Sequence, residues 1–122
     1  TTLYVTPCLA ALKVGGVHAM AHITGGGLTE NLPRILPDDL GAAINLSKIP
    51  RLPIMAWLSK AGGIAEAEML KTFNCGIGMI LVVEPFKAAS VEAELAVNGM
   101  QSVRVGEVTK GHGVYYSGQL PF

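Results

Sequence analysis

Charge is scarce in this chain: Asp, Glu, Lys and Arg together make up 15% of its 122 residues, where soluble domains average about 25%. Nine basic residues balance nine acidic ones, and the basic ones stand singly from Lys13 to Lys110. No stripe or patch of positive charge results, so nucleic acid and an anionic membrane surface are both excluded as partners. Cysteine is nearly absent. Cys8 and Cys75 are far apart and form no C-x-x-C pair, which excludes a disulfide framework and a zinc cluster and fits reduced thiols in a cytoplasm. Long apolar runs are also lacking: Ile77 to Val83 is far short of the roughly 20 residues a membrane span needs, and no basic-then-apolar signal segment opens the chain. A soluble, cytoplasmic protein is expected.

What is present is apolar. Half of the residues are hydrophobic, more than a free-standing domain of low charge needs to cover itself, so part of that surface is expected against a partner. The length fits one domain, 1–122, which at this size buries roughly two-thirds of the surface of its unfolded chain. The chain opens at Thr1 without a methionine and reads as a domain cut from something longer.

Pro7, Leu9 and Leu12 before Gly15-Gly16 predict a short helix. Val17 to Thr24 then alternates with period two, placing Val17, Ala19, Ala21 and Ile23 on one face of a strand and His18, Met20, His22 and Thr24 on the other. Gly25-Gly26-Gly27 ends that strand, and Leu28 to Leu32 starts a helical turn that Pro33 kinks or restarts. Further along, the pattern predicts a strand over Leu40 to Leu46, a helix entered between Pro50 and Pro53, and a helix over Ala65 to Thr72. It then predicts a central strand covered on both sides over Cys75 to Val83, and a helix over Phe86 to Val97 stopped by Asn98-Gly99. Val103, Val105 and Val108, then Val114 to Tyr116, supply two closing strands around the turn Lys110 to Gly113. The order α-β-α-β-α-α-β-α-β-β predicts an α/β fold, a three-layer α/β/α sandwich with a mixed or largely antiparallel sheet.

The chemistry concentrates where strand, glycines and helix meet. Consecutive glycines let backbone N–H groups converge on one guest, and phosphate is the expected one; the plainer alternative is a tight turn that needs positive φ. The Lys-[Ser/Thr] ending of a nucleotide P-loop is missing. His18 and His22 stand four apart, but on a strand that spacing covers about 13 Å, so they do not share a metal. His22, adjoining the glycines, is a candidate phosphate or substrate contact. Arg34 either closes over an anion or pairs with Glu30 or Asp38. In Thr72 to Met79, Asn74, Gly76 and Gly78 permit an unusual backbone; Asn74 is the candidate for a polar role, and Cys75 reads as a small core residue rather than a nucleophile. No residue is singled out as a catalyst and no metal site is expected.

Ala21-His22-Ile23-Thr24-Gly25-Gly26-Gly27, Glu30-Asn31-Leu32-Pro33-Arg34-Ile35-Leu36-Pro37, Trp57-Leu58 and Thr72-Phe73-Asn74-Cys75-Gly76-Ile77-Gly78-Met79, in this order, resemble the carboxy-terminal domain of the aminoimidazole ribonucleotide synthetases, or phosphoribosylformylglycinamidine cyclo-ligases. The resemblance runs from Tyr4 to Gly118. It departs at Thr1-Thr2-Leu3-Tyr4, where the family more often shows a Pro-Thr-Arg-Ile-Tyr-like run. The resemblance implies purine biosynthesis: ATP phosphorylates the formyl oxygen of formylglycinamidine ribonucleotide, the amidine nitrogen closes the imidazole ring, and phosphate leaves. It implies ATP and Mg²⁺ bound mainly outside this chain, in an amino-terminal domain that is also the main surface of a homodimer. It further implies a ribonucleotide substrate meeting His22, Thr24, Gly25, Gly26 and Gly27, with Asn31, Arg34 and Asn74 beside them. Without the amino-terminal domain, the chain is expected to be inactive. Two rivals stand beside this reading. One is another ATP-dependent synthetase or kinase of the same superfamily, against which the Glu30–Pro37 and Thr72–Met79 blocks weigh. The other is a non-catalytic binding or assembly module.

Overall fold

The computed structural model describes residues 3–122. The helices are α1 (Val5–Val14), α2 (Gly27–Asn31), α3 (Pro53–Ala61), α4 (Glu66–Thr72) and α5 (Ala88–Val97), and the strands are β1 (Val17–His22), β2 (Leu40–Asn45), β3 (Met79–Val83), β4 (Gly106–Lys110) and β5 (Gly113–Ser117). Short 3₁₀ turns at Pro33–Ile35, Leu46–Lys48 and Pro85–Lys87 join them. The element order is the one the periodicity predicts, and the fold is α/β.

Local chemistry sets the boundaries. Gly15 and Gly16 both take positive φ and turn the chain out of α1 into β1. Pro53 stands at the first position of α3, where its missing N–H costs nothing, and Glu66 and Glu68 lie in the first turn of α4, complementing its dipole.

The strands lie in two sheets. β1 and β3 pair antiparallel, while β2 is flanked by β4, antiparallel, and β5, parallel. The β1–β3 pair separates two cores. On one side Val17, Leu81 and Val83 pack on Ala11 of α1 and on Val91 and Leu95 of α5. On the other, Ala21 and Ile80 join the larger core of Ile23, Leu28, Leu32, Ile44, Leu46, Met69 and Leu70, which the second sheet closes. β3 is thus covered on both sides, as its continuous apolar pattern predicts.

Four expectations change. Val17 does not share a face with Ala21: two residues of β1 oppose one of β3 between Val17 and Ala19, and this bulge turns Val17 to the other core. The strand predicted from Val17 to Thr24 ends at His22, although the Ile23 N–H still donates to the Gly78 carbonyl at 2.9 Å. The strand predicted from Cys75 begins only at Met79, because Cys75 and Gly76 both take positive φ and close a turn. β4 begins at Gly106, after Val103 and Val105, and the turn Lys110 to Gly113 carries the chain across the end of β2 so that β4 and β5 flank it. At that crossing the Gly111 N–H donates to the Asp39 carbonyl at 2.9 Å, and Gly41 lets the Gly111 and Gly113 backbones pass where no side chain fits.

Candidate functional site

The three glycines differ in what holds them. The Gly27 N–H donates to the Thr24 carbonyl at 3.0 Å, closing the loop as a turn. Gly27 takes φ +62, and a Cβ there would collide with the Leu70 and Phe73 carbonyls at the end of α4, so only glycine allows α2 and α4 to pack so closely. Gly26 takes φ +96 with the Glu30 side chain folded against it. Gly25 has open space around it. No acceptor for the Gly25 or Gly26 N–H is found among the described residues.

Asn31, 5% exposed, organises the loop from beneath. Its Nδ2 donates to the carbonyls of Thr24 (3.3 Å), Gly25 (3.3 Å) and Gly27 (2.8 Å). Its Oδ1 accepts from Thr24 Oγ1 and from Arg34 Nη1, each at 3.4 Å. Arg34 is exposed and, among the described residues, forms no ion pair; neither Glu30 nor Asp38 takes it up. A cation therefore stands beside the loop with one end fixed and the rest open to solvent. Glu30 sets a carboxylate against Gly26, so an anion gains from lying on the Arg34 side.

The structure thus joins Thr24, Gly25, Gly27, Asn31 and Arg34 by hydrogen bonds, with Gly26 inside the same loop. Asn74 is near but separately employed: the Phe73 carbonyl abuts Gly27, while Asn74 Oδ1 accepts the Gly76 N–H at 2.9 Å and shapes the turn into β3. His22 stands apart. Its exposed ring meets the ring of Tyr4 edge-on, centroids 5.9 Å apart, and no hydrogen bond joins it to the loop. His18 pairs instead with Glu84 at 2.6 Å across the bulge.

Cys75 is wholly buried, its Sγ donating to the Met69 carbonyl at 3.4 Å, and burial, followed by the nearby Glu66 charge, pushes its thiol up to about 11. It is a core residue and not a nucleophile. Sequence reasoning missed Thr29 and Tyr116, whose hydroxyls meet at 2.8 Å and tie α2 to β5. Burial raises the Tyr116 phenol, the Thr29 hydrogen bond opposing it. No local pattern could have found two residues 87 positions apart.

Residues 1–118 match the family model described as AIR synthase related protein, C-terminal domain. Two curated relatives from Xanthomonas oryzae pv. oryzae, strains PXO99A and MAFF 311018, bear the name phosphoribosylformylglycinamidine cyclo-ligase. Each is 50% identical over 115 residues, covering 93% of this chain and 34% of the relative. The chain therefore spans about a third of the length of these relatives. Among solved structures, that of E. coli HypE superposes with a TM-score of 0.75 over 96% of this chain and 36% of the other, at 21% identity, a likeness of fold.

Proposed function

This chain belongs to the AIR synthase related protein family, as its C-terminal domain, and from that membership we propose that it is the carboxy-terminal part of an ATP-dependent phosphoribosylformylglycinamidine cyclo-ligase of purine biosynthesis. The observation that carries the proposal is the 50% identity, over nearly the whole chain, to relatives bearing that name. The work assigned to this chain is to bind the ribonucleotide substrate, in a cytoplasmic protein that pairs as a homodimer through its other domain.

The open Arg34 cation and the unaccepted N–H groups of Gly25 and Gly26 favour an oxyanion guest, the phosphate of a ribonucleotide. Thr24 and Gly27 give the loop its shape; Asn74 shapes the turn into β3, and His22 closes β1 two residues before Thr24. Among the described residues, no three His, Cys, Asp or Glu side chains gather as a metal would require. Following the family resemblance, the proposal places ATP and Mg²⁺ mainly on the remaining part of the protein, where they would supply phosphoryl transfer, and no step on this chain runs through them.

The test is kinetic. The 122-residue chain alone is expected to release no ADP in the presence of ATP and formylglycinamidine ribonucleotide. Joined to the nucleotide-binding part of a relative, it should turn over, and Arg34→Ala should raise KM for the ribonucleotide about tenfold or more, as loss of one charge-assisted hydrogen bond would. Failure of the joined protein to turn over overturns the assignment; turnover by the isolated chain overturns the placement of ATP outside it, and an unchanged KM in the Arg34→Ala enzyme overturns the oxyanion site.

A further inference from the structure

Among the described residues, Asn31 is the polar side chain buried in the core, and its hydrogen-bonding capacity is full. An amide oxygen has two lone pairs and an amide nitrogen two hydrogens. Oδ1 serves Thr24 and Arg34, and Nδ2 serves three carbonyls between its two hydrogens. The orientation of the amide is fixed by its partners, since a guanidinium only donates and a carbonyl only accepts. Nothing is left over for a ligand.

The carbonyls it gathers have a consequence across each peptide. The described chain has no cis peptide bond, and in a trans peptide the N–H points opposite to the C=O. Drawing the Thr24 carbonyl toward Asn31 turns the Gly25 N–H away from it, and drawing in the Gly25 carbonyl does the same for the Gly26 N–H. These are the two loop donors without an acceptor. One buried side chain, joined at the Thr24 carbonyl by the Gly27 N–H at 3.0 Å, thereby orients both and anchors one end of the neighbouring cation.

We propose that Asn31 is a positioning residue rather than a substrate contact: it turns the Gly25 and Gly26 N–H groups outward and holds Arg34 beside them, so that together they receive an oxyanion of the phosphate class. This rests on the oxyanion reading of the site given above. It assigns Asn31 a different task from that of Arg34, and makes the loop's donor geometry depend on a residue the ligand does not touch.

The experiment follows the 122-residue chain by NMR while inorganic phosphate is raised to tens of millimolar. The Gly25 and Gly26 amides and the Arg34 Nε–H should shift, while the Asn31 side-chain amide stays in place and exchanges slowly. Asn31→Ala should weaken phosphate binding tenfold or more, whereas Val91→Ala, which destabilises the far core, should leave it unchanged. A shifting Asn31 amide makes Asn31 a contact and overturns the proposal. So does an Asn31→Ala chain that melts earlier but binds phosphate as before, since that role would be structural only. Where Asn31→Ala does not fold, the wild-type amide responses decide. If phosphate moves no loop resonance in the wild type, the oxyanion reading fails; the orienting role is then judged on the ¹³C shifts of the Thr24, Gly25 and Gly27 carbonyls, which Asn31→Ala must move.

Discussion

At Gly27 a methyl group would run into the backbone of α4, whereas at Gly25, two residues earlier, it would touch nothing, and Gly25 does not have the positive φ of Gly26 and Gly27. Gly27→Ala should therefore cost about 2–4 kcal/mol, from left-handed strain and overpacking against carbonyls that cannot rotate away. Gly25→Ala should stay within about 0.5 kcal/mol. Urea denaturation of the two variants checks the contrast, and equal losses would mean that α2 and α4 are not so closely packed. Cys75 gives a second residue-scale test. Burial holds its thiol at about 11, above the ordinary 9.0, so the folded protein keeps the proton that the unfolded chain gives up. Its contribution to stability is full below about pH 9 and is lost as pH rises toward 11. Cys8 and Tyr116, also raised by burial, act in the same direction. Denaturation midpoints should fall over that window, and alkylation of Cys75 at neutral pH should wait for unfolding.

Between elements, the smaller core is the better place to measure what holds the fold. Ala11 is fully buried between α1 and α5, with Val91 and Leu95 closing over it. Leu95→Ala should cost about 2–5 kcal/mol by leaving a cavity that few neighbours can fill, read as a lower urea midpoint with an unchanged m-value. The helices themselves were legible in the sequence, because proline entries, glycine exits and an apolar stripe are local signals, and so was the doubly covered β3. What was hidden depends on partners distant in sequence. The bulge that turns Val17 away from Ala21 exists only against β3. The separation of β4 from β5 exists only because β2, more than 60 residues earlier, lies between them. The candidate site divides the same way. The glycine run and Arg34 mark this loop as the candidate site from the sequence alone, but the hydrogen bonds of Asn31 depend on where three carbonyls point, and the tie from Thr29 to Tyr116 joins residues 87 positions apart.

Over the whole molecule the apolar excess seen in the composition reappears as exposed side chains. Ile54 and Trp57 stand three residues apart on the outer side of α3, while Met55, Ala56 and Leu58 of the same helix are more covered. Val5, Leu9 and Leu12 are exposed on α1. Side chains of this size left in water favour association, and because so few charges surround them, little electrostatic repulsion opposes it. The chain should accordingly self-associate as its concentration rises from micromolar to hundreds of micromolar, more strongly in sulfate, which strengthens apolar burial. Trp57 reports on this directly, being the single tryptophan of the chain and 62% exposed. In dilute solution its emission should be red-edged and readily quenched by iodide. With increasing concentration it should move to the blue while the sedimenting mass grows, provided α3 is the surface that meets. Trp57 cannot report on its own replacement, so Trp57→Lys and Ile54→Lys should be followed by sedimentation, where both should remain monomeric. A wild-type chain that stays monomeric with unchanged emission would show that α3 is comfortable in water. Growth in mass without a spectral shift would move the meeting surface to α1, where Leu9→Lys becomes the variant that abolishes it.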